Sequence, residues 1–226
     1  MGGLFMMRWD VDPTGYPLIY IEPIQSWLQA LPVTKAQFEF FLAESKGYTD
    51  EWYALLLEFN PRMSYRNINA KLYEQLFMTG LREKEFRAFV RWFNGHRRGT
   101  FSIPAATQWR AAYQWLSDLN PLNEMPIQNL DISAQLIWEN LCRQRSEGTL
   151  ASQLLLKDGV LEWVCNEEET LVGGLGKTRA TFSGIIREPT EQASQPARAA
   201  LQQQDDERWR REALTPFGIR LLRSDS

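Results

Sequence analysis

Residues 171–187 constrain this chain more than any other stretch: Leu171-Val172-Gly173-Gly174-Leu175-Gly176-Lys177-Thr178-Arg179-Ala180-Thr181-Phe182-Ser183-Gly184-Ile185-Ile186-Arg187. Gly173-Gly174-Leu175-Gly176-Lys177-Thr178 looks like the tail of a phosphate-cradling loop. Such a loop needs its first glycine five residues before Gly176, so that backbone N–H groups curl round the phosphates. Here that position is Leu171. The loop must also open a helix, whose N-terminus adds positive potential. The residues after Lys177 are instead β-branched and punctuated by glycine, which is strand composition. The stretch therefore reads as a glycine-bearing strand pair near the C-terminal end of a mixed α+β domain.

The length of 226 residues suits one large domain or two small ones, and a single domain over 1–226 is expected. An apolar share of 44%, with 12% aromatic, is ample for a real core. The nine tryptophans fill that core or line an aromatic cleft or partner surface. A net charge of −3 gives no basic face, so nucleic acid is not expected as a partner. No apolar run reaches the roughly 20 residues that span a bilayer, and the start lacks the basic and apolar regions of a secretory signal. Neither a membrane nor an export route is expected. Cys142 and Cys165 are too few for a disulfide framework, which points to a reducing, cytoplasmic setting. His96 is the sole histidine, so any site that needs two imidazoles is excluded.

Residues 2–24 pair short apolar groups with turn formers, Asp12-Pro13-Thr14-Gly15 then Leu18-Ile19-Tyr20-Ile21, and predict two strands joined by a turn. Thr34 and Gln37 make a capping box, with Val33 and Phe38 placed as a hydrophobic staple. Phe38, Phe41 and Leu42 then share one face of a helix to about Ser45. Residues 51–59 read as helix, while 64–79 carry mixed signals. Phe86, Phe89, Val90 and Phe93 predict a further helix stopped at Asn94-Gly95. His96-Arg97-Arg98-Gly99 is a basic turn, either solvated or an anion contact. Phe101-Ser102-Ile103-Pro104 reads as extended, and Trp109, Ala112, Tyr113 and Leu116 predict a third helix. After a proline-bearing loop at 120–129, residues 132–145 read as helix, 159–164 as strand and 216–222 as strand. The mixed-charge segment 188–213 is a long loop or partly ordered excursion, either a solvated face or a segment that orders against a partner.

In this order the segments resemble the formylglycine-generating enzyme (sulfatase-modifying factor) family, a variant of the C-type lectin fold. The resemblance covers nearly the whole chain. Gly2-Gly3-Leu4-Phe5-Met6-Met7 is similar to the family's opening Gly-Gly-x-Phe-x-Met strand, and Pro32-Val33-Thr34-Lys35-Ala36-Gln37-Phe38 to its Pro-Val-Thr-Asn helix start. Ala88-Phe89-Val90-Arg91-Trp92-Phe93 and Ser102-Ile103-Pro104-Ala105-Ala106-Thr107-Gln108-Trp109-Arg110 stand where members carry Ala-Phe-Cys-Arg-Trp-Leu and Arg-Leu-Pro-Thr-Glu-Ala-Glu-Trp-Glu. Asp158-Gly159-Val160-Leu161-Glu162-Trp163, Val172-Gly173-Gly174-Leu175-Gly176 and Gly218-Ile219-Arg220-Leu221 resemble Gly-Asn-Val-Trp-Glu-Trp, Arg-Gly-Gly-Ser-Trp and Gly-Phe-Arg-Leu. The implied fold is α+β, with short mixed strands, several packed helices and long loops.

Departures from the family fall on its chemistry. Copper-binding members carry two cysteines after the double glycine, at the positions of Thr178 and Ser183, and a hydroxyl is no soft ligand for Cu(I). The asparagine of the family's structural calcium site is replaced by Gly159, removing an oxygen ligand. No metal or other cofactor is therefore expected. Cys142 and Cys165 read as packing residues. Together these imply a non-catalytic member that binds or assembles with another protein, as a subunit of a larger complex. By analogy the loops 159–187 and 188–215 form the concave binding face. There Arg179 and Arg187 are hydrogen-bonding cations, Thr178 and Ser183 small polar groups, and Trp163 and Trp209 aromatic anchors. Two alternatives stand beside it. One is an enzyme of this fold using non-copper chemistry, with Asp158 and Glu162 near Arg179 as acid–base groups. The other is a diversified ligand-binding protein of the kind targeted by diversity-generating retroelements.

Overall fold

The computed structural model describes residues 7–45, 76–78, 83–96, 99–125, 128–156, 161–165, 171–175 and 217–224. The expected helix at 51–59 and the excursion 188–213 lie outside them, as does the opening Gly2-Gly3 motif. The chain is mixed α+β. Its main sheet is antiparallel and has five strands: β1 (Trp9–Val11), β2 (Pro17–Ile21), β3 (Ser26–Gln29), β8 (Leu222–Ser224) and β4 (Phe101–Ser102), in that spatial order. A second sheet centres on β5 (Leu161–Cys165), antiparallel to β6 (Leu171–Leu175) and parallel to β7 (Phe217–Gly218).

The expected hairpin at the start is β1–β2. Asp12 makes its turn: Oδ1 accepts from Thr14 N, Thr14 Oγ1 and Tyr16 N at 2.8, 2.7 and 3.0 Å. Gly15 sits at φ +86°, where a Cβ would fall 2.9 Å from Asp131 Cβ and 3.0 Å from Asp131 N. Only glycine combines that backbone angle with that approach.

β2 is buried along its whole length because helices cover both faces of the sheet. Side chains alternate across a strand. Leu18 and Tyr20 join Trp27, Leu221 and the aromatic faces of α1 (Lys35–Glu44) and α2 (Glu83–Asn94). Ile19 and Ile21 join Leu28, Leu222, Trp109 and Trp138 beneath α3 (Ala106–Ser117), α4 (Ile132–Gln144) and the short α5 (Leu150–Gln153). Each such residue contributes about 1.5–3 kcal/mol when fully buried.

The helix boundaries follow local chemistry. Thr34 Oγ1 accepts from Gln37 N, and Gln37 Oε1 accepts from Thr34 N, so the capping box forms as the sequence predicts. A cap of this kind contributes about 1 kcal/mol. Val33 and Phe38 are both buried in one cluster, as the staple requires. At the end of α2, Asn94 donates to Phe101 O and accepts from Phe101 N, fastening β4 to the helix terminus. Three elements go beyond the sequence reading: β3, α5 and a 3-10 turn at Glu22–Ile24. The expected C-terminal strand is two strands, β7 and β8, separated by Ile219-Arg220-Leu221.

Replacing Gly15 with alanine is expected to lower stability by about 1–3 kcal/mol from backbone strain alone. The urea midpoint should fall at unchanged denaturant slope. An unchanged midpoint contradicts so tight a turn.

Candidate functional site

β5 brings the surviving motif residues together. Its alternation sends Trp163 into the cluster under α1 and α2, and Val164 into the cluster under α3–α5. Glu162, two residues before Val164 and on the same side, reaches Arg220 in the link between β7 and β8. Arg220 Nη2 and Nε donate to the Glu162 carboxylate at 2.9–3.1 Å. Trp109 Nε1 on α3 donates to Glu162 Oε2 at 2.9 Å. The remaining guanidinium hydrogens are met by backbone: Nη1 donates to Gln29 O (3.2 Å) and Ala30 O (2.7 Å), and Nη2 to Leu154 O (2.8 Å). Leu155, next in the chain, lies at φ +62°, uncommon for a branched residue. Glu162 and Arg220 are both 0% exposed.

This cluster corrects two of the expectations. Trp163 is 3% exposed and packs in the core, so it is not a surface anchor. Glu162 is buried and ion-paired, so it is not a free acid–base group beside solvent. Both follow from the middle of β5 lying between helical layers, where Glu162, Trp163 and Val164 are all buried. Thr178, Arg179, Ser183, Arg187 and Trp209 lie outside the described residues. So do Gly176, Lys177 and Thr178 of the phosphate-loop match, but Leu171–Leu175 just before them is a strand paired with β5.

A second buried polar cluster links the N-terminal turn to α1 and the C-terminus. Asp12 Oδ2 accepts from Gln29 Nε2 (2.9 Å) and Gln37 Nε2 (3.2 Å), and Gln29 Oε1 accepts from Leu221 N (2.8 Å). Burial pushes the Asp12 carboxyl above its ordinary range, and the donors from Thr14, Gln29 and Tyr16 pull it back. Sequence reasoning read Asp12 only as a turn former. The signal available was Gln29, a polar residue inside an apolar run. Lys35, the first residue of α1, is 0% exposed. Burial pushes its ammonium down to about 8, against the opposing pull of the Glu39 carboxylate.

Beside the end of β5 the surface opens. Cys165, half-buried, borders a cavity of about 400 Å³ with Arg87 and Arg91 of α2, Ser102, and Gln108 of α3. Ala105 stands at the N-cap of α3 and offers no side-chain oxygen; Gln108 Oε1 accepts its N–H at 2.8 Å. The cavity is large enough for a ligand group or a partner's side chain. At the far end of α2, Glu44 accepts from Trp92 Nε1 (2.7 Å) and lies 3.9 Å from His96 Nε2. Among the described residues no group of His, Cys, Asp and Glu is gathered as a metal site, and no helix is long and apolar enough to cross a membrane. No protein-family model matches the chain, nor does any curated protein or solved structure.

Two outcomes are expected. Replacing Glu162 with glutamine should cost about 3–5 kcal/mol, because it leaves a buried guanidinium without its counter-charge; chemical denaturation measures it, and a loss under about 1 kcal/mol contradicts the pairing. For Lys35, the ordinary value of 10.5 against a folded value of about 8 means the unfolded chain holds a proton that the folded chain has lost. This group therefore makes stability rise with pH from 8 towards 10.5, and adds no slope below 8. Tyr16, pushed up to about 12 from 10.0, acts with opposite sign only above pH 10. Urea unfolding between pH 8 and 9, below the range where the raised Cys142 thiol acts with opposite sign, should show a rising slope that Lys35→Met abolishes.

Proposed function

We propose that this chain is a non-catalytic domain of the formylglycine-generating enzyme type, a variant of the C-type lectin fold. It works as a protein-binding or assembly module within a larger complex. The observation that carries the reading is the meeting of Trp109, Glu162 and Arg220. These positions belong to three separate motifs of the resemblance, and they come together in one fully buried cluster whose hydrogen bonds are spent on the scaffold. Shared motif residues that hold a fold together speak for the fold and not for an activity.

The activity-bearing positions point the other way. Thr178 and Ser183 supply hydroxyls where copper chemistry needs thiolates. Cys142 and Cys165 pack half-buried against different core clusters and so do not substitute for that pair. The binding face in this reading is formed by 159–187 and 188–215, with Arg179 and Arg187 as its cations. Within that range Cys165 borders the cavity whose wall carries Arg87 and Arg91 of α2.

The test compares the full chain with a 188–213 deletion and with an Arg179→Glu/Arg187→Glu variant in quantitative affinity capture. Circular dichroism confirms folding. A partner bound by the full chain and lost from both variants is expected. Retention of every association by both removes the proposed face. Separately, copper-supplemented protein is expected to leave a cysteine-containing peptide unconverted; aldehyde formation overturns the non-catalytic reading.

A further inference from the structure

The cavity of about 400 Å³ at the end of β5 has a lining of divided character. Phe101 and Ile103 are buried and, with Val90 of α2, make its apolar part. Arg91 and Ser102 are exposed and, with Arg87 and Gln108, make its polar part. Small-molecule sites combine these two kinds of wall, and the volume lies in their usual range.

The polar part has one sign. Among the described residues that line the cavity, the charged groups are the two arginines, and no Asp or Glu stands with them. Four residues apart, Arg87 and Arg91 share one face of α2. Arg91 forms no ion pair or hydrogen bond among the described residues. Gln108 adds a donor. Its Oε1 accepts the Ala105 N–H at 2.8 Å, which leaves Nε2 facing no acceptor among the described residues. The first turn of α3, whose N-cap Ala105 has no side-chain oxygen, contributes in the same sense.

We propose that this cavity binds an organic acid, a carboxylate carried on an apolar body. Arg91 and Arg87 meet the carboxylate, since a guanidinium presents paired donors that match its two oxygens. Gln108 Nε2 supplies a neutral donor beside them. Phe101, Ile103 and Val90 receive the body. A lining whose only charges are positive disfavours a cation of the same shape. Because Cys165 lies in the binding face of the proposed module, the acid is what that face recognises. The cavity's affinity for small acids is measured without a partner, so its failure and the failure of partner capture are separate results.

Three probes of one shape test it on the full chain: hydrocinnamate (anionic), hydrocinnamamide (neutral) and phenylpropylamine (cationic). Affinity is measured by calorimetry. Alkylation of Cys165 by iodoacetamide is followed by peptide mass spectrometry, with Cys142 as the internal control. Hydrocinnamate is expected to bind more tightly than the amide, by up to about fivefold for each arginine, with the amine weakest. It should slow alkylation at Cys165 and leave Cys142 unchanged. Arg91→Gln, at an exposed position, should remove part of the preference at an unchanged urea midpoint. Arg87→Gln/Arg91→Gln should bring hydrocinnamate down to the affinity of the amide. Absence of protection at Cys165, equal affinity for the three probes, or a preference for the acid that survives the double substitution overturns the assignment.

Discussion

A guanidinium cannot be buried unless every one of its N–H groups has an acceptor in place. Arg220 meets that demand with Glu162, Gln29 O, Ala30 O and Leu154 O. The acceptors come from the end of β3, the end of α5 and the middle of β5. Losing Glu162 leaves the buried charge uncompensated, at a cost of several kcal/mol, and losing a carbonyl leaves a charged N–H unpaired. The arginine therefore ties the link before the last strand to Gln29 and Ala30, about 190 positions earlier in the chain, and to Glu162 through a pair that is 0% exposed at both ends. Both helical layers and both sheets are arranged around that requirement.

The Asp12 cluster performs the same task beside it, at the same end of β3. One carboxylate receives donors from its own turn, from β3 and from α1, and Gln29 passes the connection on to Leu221. Buried polar groups of this kind are directional where apolar packing is not. They fix the register of strands whose two faces are equally apolar. β2 needs that help. With Leu18 and Tyr20 facing one layer and Ile19 and Ile21 the other, a one-residue slip costs little in hydrophobicity.

The same architecture decides where ligands can and cannot be met. The middle of β5 is enclosed on both faces, so Glu162, Trp163 and Val164 go to the interior, and only Cys165 at its end reaches an opening. Openings occur where strands run out or helices leave the sheet. One is beside Cys165, where β5 ends against α2 and α3; another lies along the outer side of α4.

Much of this was legible in the sequence, and where it was, the signal was local. The Thr34–Gln37 box, the phenylalanines of α2, the Asn94-Gly95 stop and the apolar run 18–21 each form through interactions within a few residues. β3 escaped notice because Ser26-Trp27-Leu28-Gln29 ends on a polar side chain that only the distant Asp12 and Leu221 satisfy. α5, four residues long, has too little periodicity to register. The split of the C-terminal strand follows from Arg220, whose partners lie on other elements. The side to which Trp163 points was equally hidden, since Trp163 and Val164 are both apolar and only the layers above and below tell them apart. By itself the sequence determined caps, helices, the N-terminal turn and the residues of a core. Tertiary structure alone decided which motif residues meet, because the burial of a charge is settled by groups that the chain brings together from far apart.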